Sequence, residues 1–359
     1  MKSKIILLLL SVVLVTISCK KKIEEFPNTT TEEVVLAEEE WDDEGELSEW
    51  DDSADFTDKR WKDVDVHYTY HFTGKIDDKY AFDMYLKVFE DEISGYYYYL
   101  NNGTFIDING TVSHGILEFK EEFGNTFRGH FDYDKGEVVG EWTNVSNGAV
   151  MPFVMANPKG KGYPQKQYKA FLNKTDYSND TYNVTEIAEI SDKHEVKRIE
   201  IESVFWYYKD EPNFKIYLQD YNFDGYLDIS AFHFLPAYPP VKFQFLLYNS
   251  NSKEYVFDEV YNDSIYTSVP GTDFRKKLLY EYGEGRGGTE KVYKLHENKL
   301  YAVFGTYIGT REIDDSFNPP TWYYKIKNGK EIEITEEEFN QVYGKNVLKF
   351  FESKYCYEL

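Results

Sequence analysis

Only two cysteines, Cys19 and Cys356, occur among the 359 residues. No disulfide framework is therefore available, and the fold must rest on core packing and strand pairing. Long apolar runs are equally scarce: after residues 5–17, no stretch is long and apolar enough to span a bilayer. Positive charge is in deficit, with 40 Lys and Arg against 64 Asp and Glu and a formal net charge of −24. Acidity of this size repels phosphate backbones, and no basic stripe interleaved with aromatics offsets it, which argues against nucleic acid as a partner. Catalytic signatures are missing too. There is no G-x-S-x-G elbow, Walker loop or H-E-x-x-H, and no His is arranged around Cys356. The seven His residues form no zinc pattern; His67 and His71 would lie roughly 13 Å apart along a strand. Among the 64 acids nothing singles out a pair for glycoside hydrolysis. These absences together point away from an enzyme.

What the chain does have is aromatic surface, 33 Tyr and 26 Phe, more than a disordered chain carries. Its length suggests about two domains at roughly 150 residues each. Lys2 and Lys4 precede an apolar run at 5–17 broken only by Ser11 and Thr16, and Ser18-Cys19 follows at once. Residues 1–18 read as a signal peptide, the run being too short for a mature membrane helix. The small residue and Cys at its end resemble a bacterial lipobox, with Thr16 where a lipobox usually carries Leu. That resemblance implies a lipidated Cys19 as the first mature residue and a membrane anchor. Lys20 in place of Asp then points to the outer membrane, on its periplasmic or cell-surface face. An ordinary secretory signal with an incidental Cys is the alternative. With Cys19 lipidated, Cys356 has no internal partner.

Residues 19–58 open with Lys20-Lys21-Lys22, and 23–58 carry no Lys or Arg and many acids. Like charges at this density resist compaction, so the segment reads as a disordered acidic tether. Trp41, Trp50 and Phe56 leave open a docking strip that orders on a basic partner.

Residues 59–157 alternate short apolar-polar runs with Gly, Asn and Asp turns, predicting strands at 67–72, 81–89, 95–100, 104–108, 116–119, 127–133 and 138–142. No helical period competes, so an antiparallel small barrel or sandwich is expected. Ile108-Asn109-Gly110-Thr111 and Gly140-Glu141-Trp142-Thr143-Asn144 resemble a bacterial β-module with recurrent I-x-G-T and G-x-W-T-N strands, to which no activity attaches. The run Tyr96-Tyr97-Tyr98-Tyr99 would place two rings on each strand face, for sugar stacking or for half core and half surface. Residues 158–182 are rich in Pro, Gly, Lys and Asn and read as the linker to a second β domain at 183–359. There Asn328-Gly329 between alternating runs predicts a hairpin, and Thr335-Glu336-Glu337-Glu338 ahead of Phe339, Val342 and Tyr343 predicts a short C-terminal helix. The expected class is mainly β, with two antiparallel sandwich or small-barrel domains.

One motif carries chemistry. Asp220-Tyr221-Asn222-Phe223-Asp224-Gly225-Tyr226-Leu227-Asp228 spaces oxygen ligands as a calcium loop does, with Gly at the sharp turn. Asp220, Asn222 and Asp224 would give side-chain oxygens, Tyr226 its carbonyl and Asp228 a carboxylate. Ala231 stands where an EF-hand has its bidentate Glu, and the flanks look like strands. The segment is a strand-loop-strand calcium site or a metal-free turn in which Asp228 bonds the loop backbone. With the strand-like 245–249 and 255–257 behind it, the loop resembles a family of exported bacterial β-proteins that includes periplasmic inhibitors of lysozyme-like peptidoglycan hydrolases, over about 199–303. The resemblance implies calcium binding by the loop. Family members often carry a Cys pair where this chain has 283–288, Gly-Glu-Gly-Arg-Gly-Gly. Strand-like segments flank those glycines, so they suit a hairpin tip rather than a phosphate cradle. Gly285, Arg286 and Gly287 could enter a partner's cleft, with Arg286 meeting carboxylates.

The leading expectation is a lipid-anchored envelope protein, a non-catalytic binding module with a structural Ca2+ site. The alternatives are an inhibitor of a lysozyme-like hydrolase, which would be its protein partner, and a glycan-active hydrolase.

Overall fold

Alternation puts every second side chain of a strand on one face, and over 61–156 it builds a closed barrel. The computed structural model describes residues 56–176, 181–191, 196–206, 214–235, 242–265, 269–282, 289–308, 321–328 and 330–343. The signal peptide, Cys19, nearly all of the expected tether and the loop holding Gly285, Arg286 and Gly287 lie outside them. The barrel strands are β1 (Trp61–Ile76), β2 (Tyr80–Phe89), β3 (Glu92–Tyr99), β4 (Phe105–Ser113), β5 (Ile116–Glu121), β6 (Thr126–Asp132), β7 (Glu137–Thr143) and β8 (Val150–Ala156). Each pairs antiparallel with the next, and β8 returns to β1 with Thr73 opposite Ala156 and Ile76 opposite Phe153.

Phe72, Phe82, Met84, Phe127, Phe153 and Met155 fill the interior. The two repeated phrases have a packing reason. A Cβ on Gly140 would stand 2.1 Å from the Arg128 carbonyl oxygen, so a side chain there would force the strands apart. Trp142 turns inward, and its indole N–H donates to Glu121 at 2.7 Å.

β1 has 16 residues, enough to serve a second ring. Its first three residues pair with β9 (Lys166–Asp176), and Val64–Thr69 run parallel to β12 (Phe214–Gln219). From β9 the pairing passes to β10 (Thr181–Ser191) and β11 (Val196–Trp206), then in parallel to β13 (Asp228–Leu235), which pairs antiparallel with β12. These pairings close a six-strand ring around Val64, Ala170, Val184, Ile187, Ile216 and Ile229. Beyond β13 lie β14 (Lys242–Asn249), β15 (Glu254–Phe257) and the helix α1 (Glu259–Ser264). The two parallel pairs depart from the antiparallel expectation. Neither joins strands consecutive in sequence, as parallel pairing requires.

Two further differences have physical reasons. β9 lies within 158–182, expected as a connection: Tyr168, Ala170 and Leu172 alternate inward behind the breaker-rich 157–164. β8 was hidden by Pro152, which has no N–H; its carbonyl accepts from the Asp77 amide at 2.8 Å.

A second sheet is an antiparallel meander of β16 (Gly271–Asp273), β17 (Leu278–Tyr282), β18 (Thr289–His296), β19 (Lys299–Ile308), β20 (Thr321–Lys327) and β21 (Lys330–Ile334). Lys327 pairs with Lys330 across the expected two-residue turn, and Asn328 has φ +54°, as a type I′ turn demands. The expected helix is α2 (Glu336–Tyr343), with the Thr335 hydroxyl accepting from the Glu338 amide at 3.1 Å and Phe339 buried. The class is mainly β with few helices, as expected. Among the described residues no helix is long and apolar enough to cross a membrane.

Candidate metal centre

Residues 220–227 connect β12 to β13, and Gln219 pairs with Asp228 at their base. The loop is therefore held between two strands of the six-strand ring. Its aromatic residues fix it from beneath. Tyr221 is buried and meets Phe245 edge-on at 5.3 Å, while Phe223 meets Phe274 edge-on at 5.0 Å. The Tyr261 hydroxyl on α1 donates to the Tyr221 carbonyl at 3.1 Å. On the other side, the buried Asn157, just past β8, donates its side-chain amide to the Gly225 carbonyl at 2.8 Å. Gly225 takes φ +96°, and a Cβ there would stand 2.4 Å from the Lys159 Cβ. Only glycine satisfies both the turn and that close approach.

Asp220, Asn222 and Asp224 are brought together. The Asp224 amide donates to Asp220 Oδ1 at 3.1 Å and to Asn222 Oδ1 at 3.0 Å. The Gly225 amide donates to Asp220 Oδ2 at 2.6 Å, and the Tyr226 amide to Asp224 Oδ1 at 2.9 Å. Asp228 is used differently. Its two oxygens accept from the amides of Tyr221 and Tyr248, both at 2.8 Å, and so pin the loop base to β14. Among the described residues no three His, Cys, Asp or Glu side chains form a metal-ligand group. Asp220, Asn222 and Asp224 together offer two carboxylates and one amide oxygen, hard oxygen donors of the kind calcium takes.

The electrostatics are set by burial. Asp220 and Asp228 are buried, and among the described residues neither makes an ion pair. Burial first, then the charge of Asp224, pushes the Asp220 carboxyl up to about 8. Burial and then Asp220 hold Asp228 well above the usual carboxylate range. Burial also raises Asp224, countered by the Tyr226 amide, Asn222 and the ammonium groups of Lys161 and Lys159. Each accepted N–H favours the ionised form, yet desolvation and mutual repulsion outweigh them.

Sequence reasoning missed Asn157, Lys159 and Lys161, because they lie more than fifty positions before the loop. Their Asn-Pro-Lys-Gly-Lys context signals only a turn. The tyrosine run divides as alternation demands. Tyr97 enters the barrel core, while Tyr96 stacks on Tyr85 and, with Tyr98, borders a cleft beside Asp273 and Arg275.

No protein-family model matches this chain, and no curated protein matches it. Among solved structures it is similar to a Xanthomonas type IV secretion system related protein, at 13% identity and a TM-score of 0.35, over 48% of this chain and 90% of that one. An overlap this loose carries no argument about fold or function.

Proposed function

We propose that this chain is a non-catalytic binding protein of the bacterial envelope, lipid-anchored at Cys19, whose loop 220–228 holds a structural calcium ion. The observation that carries the calcium reading is the burial of Asp220 and Asp228 beside Asp224 without an ion-pair partner among the described residues. A fold that gathers these carboxylates and leaves them to raise one another's pKa values gains from a cation that binds the folded state. Asp220, Asn222 and Asp224 would offer side-chain oxygens and Tyr226 its carbonyl, while Asp228 holds the loop base. The ion would supply charge neutralisation and tie the β12–β13 connection. The residues fit such a group because every one of these donors is an oxygen and Gly225 allows the turn.

Thermal melting of the purified chain with millimolar calcium and with chelator tests this. Calcium should raise the melting temperature by several degrees, and Asp224→Asn should remove most of the rise. An equal melting temperature in both conditions would overturn the calcium site. Loss of turbidity when the protein alone is added to cell walls would overturn the non-catalytic reading.

A further inference from the structure

Beside the loop, where the six-strand ring meets the first barrel, a cleft of about 300 Å3 is bordered by Tyr68, Tyr168, Tyr226, Tyr248, Tyr255 and Lys166. Strand register places charged groups beside its Tyr168 wall. Tyr168 on β9, Glu189 on β10 and Lys197 on β11 stand directly opposite one another, so their side chains share one face. Glu189 and Tyr168 are more than nine-tenths buried. Glu189 accepts from the Tyr168 hydroxyl at 3.1 Å and pairs with the Lys166 ammonium at 2.7 Å, so its charge is met.

Lys197 is in a different position. Its ammonium lies 5.7 Å from the Tyr248 ring centre and 5.8 Å from that of Tyr255, and it makes no ion pair among the described residues. Burial, and then the neighbouring Lys166, depress its pKa against the pull of Glu189 and Glu254. Lys161 lies over Tyr226 at 5.0 Å on the loop side. Asp134 also lines the cleft and Glu189 meets Lys166, so the ammonium groups left without a salt bridge at its edge, among the described residues, are those of Lys197 and Lys161.

The lining sets the chemistry of the occupant. Phenol rings present an apolar face and a polar tip. An inorganic anion would leave those faces bare, and a wholly apolar ligand would cover Lys197 without meeting its charge. A pyranose has a C–H face, a rim of hydroxyls and a size suited to a cavity at the small end of ligand sites. A carboxylate on that ring would meet the ammonium groups. We infer that the cleft binds an acidic saccharide, its ring against Tyr248 and Tyr255 and its carboxylate toward Lys197. The inference rests on the reading of the chain as a binding module, but not on the calcium ion.

The test applies the full chain to an array that pairs uronic-, sialic- and muramic-acid saccharides with their neutral counterparts, followed by calorimetric titration of the best-retained member. Acidic members should be retained above their neutral partners. Lys197→Gln should weaken the titrated affinity roughly tenfold or more with the parent's melting temperature, and Tyr248→Ala should abolish retention while still melting cooperatively. Retention of no acidic member, equal retention of both members of each pair, or affinity unchanged in Lys197→Gln would overturn the inference. The reading beneath it fails separately: mass spectrometry that finds the retained saccharide cleaved would sink the non-catalytic module and leave the saccharide site standing.

Discussion

Asp220 has a titration that reaches the stability of the whole chain. Folded, its carboxyl is pushed up to about 8 by burial and by Asp224; unfolded, it returns to about 4. Between those values the folded state holds a proton that the unfolded chain has released, so metal-free stability falls as pH rises through that window. Asp228 is shifted in the same direction and adds to the fall. Asp220→Asn keeps an oxygen for the Gly225 amide and cannot titrate, so its urea midpoint in chelator should drop less between pH 5 and pH 8 than the parent's. An identical drop in both proteins would place the titration elsewhere. The oxygen spacing of this loop was legible because its candidate donors lie within nine residues of sequence. The way Asp228 turns its oxygens to Tyr221 and Tyr248 was not, because Tyr248 reaches it only through the pairing of β13 with β14.

Among the elements, those with local signals were the ones read correctly. Asn328-Gly329 and the Thr335 cap each contain the chemistry that forms them, a residue tolerant of positive φ and a hydroxyl beside free amides. β8 and β9 lacked such signals: one carries a proline and the other lies beside a breaker-rich turn. Helix α1 is the least conspicuous element and among the most firmly held. Asp258 Oδ1 accepts from the Tyr261 amide at 2.9 Å, and Asn262 exchanges hydrogen bonds with both main-chain groups of Phe245, at 2.9 Å each. Asp258→Ala should therefore cost about 1 kcal/mol, read as a lower urea midpoint. Because Tyr261 also holds the Tyr221 carbonyl, the same variant should weaken the proposed calcium-dependent rise in melting temperature. A midpoint equal to the parent's would mean that the cap contributes nothing.

For the whole molecule, the sequence suggested two domains joined by a linker; among the described residues, β1 belongs to both closed rings. The mainly β class followed from periodicity, but sharing a strand is a long-range fact that no local pattern encodes. It predicts one melting transition. Phe72→Ala, in the first barrel, should destabilise by about 3–5 kcal/mol and lower the signals of both rings together. Two transitions, with only one displaced, would contradict this.

The same strand imposes an order on biogenesis. β1 is the first strand of the described fold to be synthesised; β2 covers most of one edge at once, but the other edge waits for β8, ending at Ala156, and for β12, ending at Gln219. Until then an aromatic-rich strand stands with one unpaired edge, the state in which chains cross-pair.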